Sequence, residues 1–529
     1  MPLDENPPFD AHRAARLAEA LRGRLAAETG GPAELIETHI SRILLAGDAA
    51  YKLKKPVHLP FADFRDPVAR RRFCEEELRL NRRLVPDLYL DVRPVCGTPE
   101  APRIGTADEA ARAIDWVLRM RRFPPGRELD ALLRRGELQD ADIDRFAARL
   151  ARFHAEAPVA GPTQDWGTPE RVAATLRDVL DRLVPLAGGA RLQALRGAFE
   201  RAQPALRRAW AARHAGGHVR EGHGDLHLAN VVKLGEEVTA FDCIEFDPAL
   251  RWIDTMADIA FFTMDLKAHG RPGLAWRFLD RYLAHTGDHE GLPVLRPYEA
   301  YRALVRELAG RLREAGGAPP APRPDYLGLA EALAAPAACT PRLLITHGLS
   351  GSGKSTVAAA LLEAAGAVRL RSDVERKRLF GLGALQRSAA AGLDIYTAEA
   401  TQRTFERLRQ LARTALRAGY PVIVDAAFLR RDERDAFRTL ADAQGVPFAV
   451  LHCHAGLPAL RERVAQRQAG GVDPSEADLG VLARQQAQGE PLAAEEAPFV
   501  FDLPTDAPWD AQALALRWAA GGRRRQSAP

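Results

Sequence analysis

Two clusters in this 529-residue chain combine residue types and spacings suited to handling phosphate. The first is Gly348-Leu349-Ser350-Gly351-Ser352-Gly353-Lys354-Ser355, followed by Thr356. Glycines so spaced let successive backbone N–H groups converge on one anion, and a helix that follows adds the positive end of its dipole. Lys354 would then reach the terminal phosphates of a nucleotide such as ATP, and Ser355 would hold Mg²⁺. The second cluster is His223-Gly224-Asp225-Leu226-His227-Leu228-Ala229-Asn230, with Asp242 downstream. Phosphoryl transfer needs an acceptor for a hydroxyl proton, an oxygen ligand for Mg²⁺, and a carboxylate that bridges Mg²⁺ to the phosphates. Asp225, Asn230 and Asp242 have that chemistry in that order, although an Asx-rich turn between two strands would use the same letters.

The elements around these clusters must place them. Leu343-Leu344-Ile345 reads as a strand entering the glycine loop and Thr356–Leu362 as the helix leaving it. Strand patterns at 367–373, 421–425 and 446–453 alternate with helical ones, which predicts a parallel sheet covered on both faces. Ligands bind where such strands end, so Asp373 and Asp425 should face the loop. Asp425 suits the carboxylate that orients Mg²⁺ or its water, and Asp373 suits the acceptor side; a helix N-cap is the plain alternative for each. Arg461, Arg463 and Arg467 share a helical stretch at 460–468, where they are either lid arginines or a solvated face. His452-Cys453-His454, at a strand end, reads as packing.

Upstream, residues 11–29 have helical apolar spacing, and two β-rich runs meet at Gly47-Asp48 in a predicted hairpin over 37–54. Lys52 and Lys54 share one face of its second strand. A helix over about 66–84 carries Glu75, Glu76 and Glu77, and kinases hold their phosphate-binding lysine with such a glutamate. Residues 298–315 read as a helix, Ala318 to Pro324 as a stiffened connector, and about 325–335 as a small helix.

Composition bounds the rest. A chain this long exceeds one core. The formal charge of +4 gives no argument for a nucleic-acid surface, although Arg523-Arg524-Arg525 is locally basic. Five dispersed cysteines (Cys74, Cys96, Cys243, Cys339, Cys453) argue against a disulfide framework or structural zinc. The start lacks signal-peptide character, and no apolar run is long enough for a membrane span, so a soluble, cytoplasmic protein is expected.

His223 to Asn230, with Asp242, resembles the catalytic loop of the aminoglycoside phosphotransferase and choline kinase group, a small-molecule branch of the protein-kinase-like fold. The match spans roughly 35–310. It implies Asp225 as catalytic base, Asn230 and Asp242 as metal ligands, and Lys52 at the phosphates, with Lys54 an almost equal alternative, paired with Glu77 in preference to Glu75 or Glu76. Asp115 to Phe123, with Met120, resembles the hinge where adenine bonds to backbone. Leu150 to His154 resembles a helix near the base of the second lobe, and Asp254 and Asp258, on a helix expected over 253–265, resemble scaffold. The hairpin lacks a G-x-G-x-x-G covering loop, and 155–220 shows no acidic cluster for a polycationic sugar. The C-terminal half resembles the zeta-toxin, gluconate-kinase and polynucleotide-kinase group, and the whole resembles a bacterial fusion described as bifunctional aminoglycoside phosphotransferase/ATP-binding protein. Thr38-His39-Ile40-Ser41, Tyr51 to Pro56 and Arg371-Ser372-Asp373 belong to that likeness.

The resulting expectation is an α+β protein-kinase-like, two-lobed domain at 30–315, a linker at 316–340, and an α/β P-loop domain with a parallel sheet at 341–520. Each would use ATP and Mg²⁺ to phosphorylate the hydroxyl of a small molecule. In the C-terminal site, Asp373, Arg463 and Arg467 would act on the transferring group. The rival reading is a single N-terminal kinase with a P-loop regulatory module.

Overall fold

The computed structural model describes residues 10–521, apart from 39, 60–61, 162, 318, 320–321, 336–340 and 471–472. His39, Cys339, part of the expected linker and the Arg523–Arg525 tail lie outside the described residues. The chain divides into two compact units. One takes the residues up to Gly167 with His214–Asp258, and the other takes Thr168–Arg213 with the chain from Ile259 onward.

The first unit is built on a six-stranded antiparallel sheet. In spatial order its strands are Glu34–Glu37, Ser41–Ala46, Ala49–Lys54, Asp115–Arg121, Tyr89–Thr98 and Ala101–Ile104. The Gly47-Asp48 turn forms as expected, with Gly47 at φ 56° and Ala46 opposite Ala49. The opening helix, Ala11–Thr29, buries Leu17, Leu21 and Leu25 against Leu44, Leu53, Val95 and Val117 of the sheet. The other face of the sheet takes the helix Pro67–Asn81, capped by Asp66, with Cys74 in the core beside Leu118. Two short two-stranded antiparallel sheets follow in the same unit. Val231–Leu234 pairs with Glu237–Ala240, and Val219–Glu221 pairs with Trp252–Asp254.

Two expectations need correction here. Asp115 to Phe123, likened to a hinge, is sheet over most of its length. It is a strand through Arg121, because Trp116, Val117 and Leu118 are buried, and Val117 and Leu118 pair on both sides within the sheet. The helix expected from Ile253 begins at Thr255, because Trp252–Asp254 is spent on a short strand paired with Val219–Glu221 and Asp254 accepts the Met256 N–H at 2.9 Å.

The second unit carries a five-stranded, wholly parallel sheet. Its order is Val368–Arg371, Val422–Asp425, Leu343–His347, Phe448–His454, Val500–Pro504. Every residue of the Leu343–His347 and Val422–Asp425 strands is buried, as near-continuous apolar runs in a doubly covered parallel sheet must be. The expected strand at 367–373 stops at Arg371. Ser372 and Asp373 are the first turn of the helix Ser372–Leu379.

Helices at Pro272–Thr286 and Leu292–Ala315, read from sequence as part of the first domain, fall in this second unit. Side-chain contacts hold the first of them there. Arg369 donates to both carboxylate oxygens of Asp280, from Nε at 3.1 Å and Nη2 at 2.7 Å, with both groups buried. Arg277 reaches Glu363 at 3.0 Å, and Trp276 meets the Tyr420 ring edge-on at 5.8 Å. The proline-rich stretch marks where the sequence pattern changes, whereas compactness follows these contacts. Among the described residues, no helix is long and apolar enough to cross a membrane.

Candidate active sites

In the first unit the residues expected to handle phosphate converge. Lys52 Nζ lies 2.7 Å from Glu77 Oε1 and 2.6 Å from Asp242 Oδ1. Lys54, on the same strand face, bonds the other oxygen of Glu77 and also Glu245, while Glu75 pairs with Arg71 and Glu76 with Arg79 and Arg251. The two lysines therefore share one buried glutamate, and Lys52 alone of the two reaches Asp242. Burial opposes the charge on Lys52, but Asp242 and Glu77 outweigh it and hold its pKa well above the usual lysine value. Burial likewise pushes the Asp242 carboxyl up, and Lys52 more than reverses this.

Asp242 has φ 65°, a left-handed conformation that aspartate tolerates better than bulkier residues. Its N–H donates to the Tyr89 hydroxyl at 3.1 Å, and the next N–H, of Cys243, donates to Asn81 Oδ1 at 3.0 Å. Asn230 Nδ2 donates to the Asp225 carbonyl at 2.9 Å and to Asp225 Oδ2 at 3.1 Å. His227 Nε2 stands 3.5 Å from the same carboxylate.

The loop that carries Asp225 is held from beneath by Asp258. Its Oδ2 accepts the His223 N–H at 2.7 Å and its Oδ1 the Gly224 N–H at 3.0 Å, while His154 Nε2 lies 3.2 Å from Oδ2. Burial pushes the Asp258 carboxyl up, but the His154 hydrogen bond, the two histidines and the His223 N–H together hold it well below the ordinary range. His223 is kept neutral by burial. Its Nε2–H then donates to the Phe241 carbonyl at 2.9 Å, leaving Nδ1 to accept the Asp225 N–H at 3.3 Å. Gly224 has φ 88°, and a Cβ there would stand 2.6 Å from the Leu250 carbonyl oxygen.

Met120 is buried beside Ala50, in an apolar wall that partly buried Ile43, Phe123, Leu234 and Phe241 complete. Its backbone pairs with Ala50 and Tyr89 inside the sheet.

In the second unit, Gly348 to Lys354 forms the loop between the Leu343–His347 strand and the helix Lys354–Ala365. Gly348, Gly351 and Gly353 have φ of 143°, 83° and 80°. A Cβ at Gly348 would come within 2.2 Å of the Cys453 carbonyl oxygen, and one at Gly351 within 2.6 Å of the Leu460 carbonyl oxygen. Lys354 Nζ donates to the Leu349 carbonyl at 2.7 Å and contacts Ser352 Oγ at 3.4 Å; burial holds its pKa below the usual value. Leu349 itself packs on Leu460, Val464 and Leu482. The Ser350 N–H donates to Gln485 Oε1 at 2.8 Å.

Ser355 Oγ donates to Asp425 Oδ1 at 3.1 Å. Asp425 Oδ2 is buried with no hydrogen-bond partner among the described residues, although Arg371 lies at 3.5 Å and Arg369 at 3.8 Å. The buried Nε of Arg467 also has no partner, while its Nη2 donates to the Ala477 carbonyl at 2.7 Å. The donor set fits Mg²⁺ and a polyphosphate: hydroxyl and carboxylate oxygens suit the hard cation, and orphaned buried groups of both signs await partners. Arg463 is engaged differently. Its Nη1 donates to Thr505 Oγ1 at 3.0 Å and its Nη2 to the Thr505 carbonyl at 3.0 Å. A cleft of about 1290 Å³ joins Gly351, Lys354, Ser355, Thr356, Asp373 and Asp425 to Arg463 and Arg467.

Sequence reasoning missed Lys54–Glu245, Asn81, Tyr89 and Gln485. Pairing between buried charges distant in sequence leaves no local pattern, whereas Asn81 stood at the end of the Glu77 helix and could have been found by its helical spacing.

The first unit thus sets its converging residues beside an antiparallel sheet, and the second has the strand, glycine loop and helix of a P-loop protein on a parallel sheet. Residues 343–492 match the profile of the AAA domain family. Over 460 residues the chain is 30% identical to the uncharacterized protein Rv2004c of Mycobacterium tuberculosis H37Rv, covering 85% of this chain and 89% of that one. Uncharacterized protein Mb2027c of Mycobacterium bovis matches to the same extent. The chain belongs to the family of these mycobacterial proteins. Among solved structures, a gluconokinase from Sinorhizobium meliloti 1021 is 23% identical over 35% of this chain and 92% of its own, with a TM-score of 0.26. A choline/ethanolamine kinase family protein from Mesorhizobium loti is 15% identical over 60% and 92%, with a TM-score of 0.35. At these scores neither likeness bears on activity.

Proposed function

We propose that the protein is an ATP-dependent phosphotransferase with two nucleotide sites, each passing the γ-phosphate to a hydroxyl of a small molecule. The observation that carries this is the presence of two separate sets of phosphate-handling residues. Lys52, Asp225, Asn230 and Asp242 form one, and Lys354, Ser355, Asp373 and Asp425 form the other. The domains on this reading are a kinase domain at 30–315 and a P-loop kinase at 341–520, joined through 316–340.

In the N-terminal site Lys52 would bind phosphate oxygens while Glu77 keeps its ammonium directed, and the apolar wall around Met120 would take the base. Asn230 and Asp242 would hold Mg²⁺, which supplies charge neutralisation at the phosphates. Asp225 accepts the proton as the acceptor's hydroxyl oxygen bonds to Pγ and the bond from Pγ to the β-phosphate oxygen breaks. Asn230 and His227 hold its carboxylate in place. In the C-terminal site the loop N–H groups and Lys354 bind the phosphates, Ser355 and Asp425 would hold Mg²⁺, and Asp373 faces the acceptor. Arg467 would stabilise the transferring group. Arg463, occupied by Thr505, is better suited to bracing the loop than to touching phosphate.

Purified full-length Asp225→Asn and Lys354→Ala proteins, assayed for ATP turnover against a panel of hydroxyl compounds, test the assignment. Each substitution is expected to remove one set of acceptor-stimulated activities. If neither changes any turnover, the reading fails.

A further inference from the structure

We propose that His452, His454 and Asp502 form a binding site for a borderline divalent transition metal of the Zn²⁺ class, separate from the nucleotide sites. The parallel sheet creates it by register. His347, His452 and Asp502 lie side by side on three neighbouring strands, and His454 follows His452 on the same face by strand alternation. One ligand atom from each of His452, His454 and Asp502 lies within 4.8 Å of the others. Both imidazoles turn Nε2 toward the carboxylate, His454 at 3.2 Å from Oδ2 and His452 at 3.9 Å from Oδ1. Two imidazoles and one carboxylate are an N,N,O donor set for Zn²⁺, and the exposure of Asp502 and His454 leaves a coordination position open to water.

The surroundings support ligation through Nε2. A ligating histidine usually donates its other N–H to a neighbour, and His452 Nδ1 already lies 2.8 Å from His347 Nδ1. Ligation at Nε2 places the His452 proton on Nδ1, where that hydrogen bond uses it. His347 Nε2 is buried without a partner among the described residues in either tautomer, so nothing on that side fixes the protons against ligation. The site also has a mechanical link to the phosphate loop. Thr505 donates its N–H to the His454 carbonyl at 2.8 Å and reaches the Ser352 carbonyl through its hydroxyl at 2.9 Å.

The test uses full-length, metal-stripped protein and Zn²⁺ alone, with binding followed by calorimetry. Because Zn²⁺ can also enter a Mg²⁺ site, the comparison is with the His454→Ala/Asp502→Asn double variant, whose replaced side chains are exposed, and with His58→Ala as a surface-histidine control. The expected result is loss of one equivalent, or weakening of at least about tenfold, in the double variant and no change in the control. Co²⁺ bound to the same protein should show visible bands that the double variant lacks. Equal Zn²⁺ binding by wild type and double variant, or no saturable binding by the wild type, would overturn the proposal.

Discussion

At the scale of single residues, charge placement decides what each site can do. Lys52 bridges Glu77 and Asp242, whereas Lys54 is consumed by Glu77 and Glu245. Asp225→Asn should lower turnover at the N-terminal site by about 10²–10⁴-fold with ATP affinity little changed, as kcat and KM for ATP will show. Lys354→Ala should weaken nucleotide binding at the phosphate loop by about 10²-fold, measured with a fluorescent ATP analogue. Glu433, in the wall of the same cleft, offers a pH signature. Burial raises its pKa from 4.5 to about 7, so the folded chain prefers the neutral acid. That contribution is complete below pH 4.5 and is lost as pH rises through 7. Glu433→Gln should therefore raise Tm by roughly 2–4 °C at pH 8 and hardly at pH 4.5, as thermal scans at the two values will show. The sequence could put Lys52 and Lys54 on one face but could not separate them, because the separating partners, Asp242 and Glu245, arrive from about 190 residues away.

At the scale of elements, the Asp225 loop and the glycine loop at 348–353 are held in shape for different reasons. The first is hung from one buried carboxylate. Asp258→Ala removes the acceptor for two backbone N–H groups and the partner of His154, and should cost about 3–5 kcal/mol in denaturant unfolding. The second is shaped by glycines pressed against neighbouring backbone. Gly351→Ala should cut ATP affinity at least about tenfold, since it forces a left-handed alanine against Leu460. Gly381→Ala, with φ 70° but nothing within 4 Å of the added carbon, should leave that affinity unchanged. Strand–loop–helix was readable at 343–365 because apolar run, glycines and helix formers coincide there. The segment at 115–123 was likened to a hinge, while its own letters, Trp116-Val117-Leu118, favour the buried strand that runs through Arg121. Asp373 was placed one element early for a related reason: Arg371-Ser372 ends a strand and begins a helix without a glycine or proline to mark the change.

For the whole molecule, the break in sequence pattern and the division by compactness fall at different places. A proline-rich stretch is visible in one dimension. The packing of Pro272–Thr286 with the P-loop half is not, because it rests on pairs such as Arg369–Asp280, 89 residues apart. That pair has a practical consequence for anyone dissecting the protein. A fragment cut at the proline-rich stretch keeps the buried Arg369 and discards its carboxylate, leaving a guanidinium inside the sheet with Asp425 as its nearest counter-charge. Such a piece should express poorly, melt below the parent, and recover in part on Arg369→Met; one beginning before Pro272 should not need the rescue. Silence from the shorter piece in an ATP assay would then report a missing aspartate, and would say nothing about the phosphate loop.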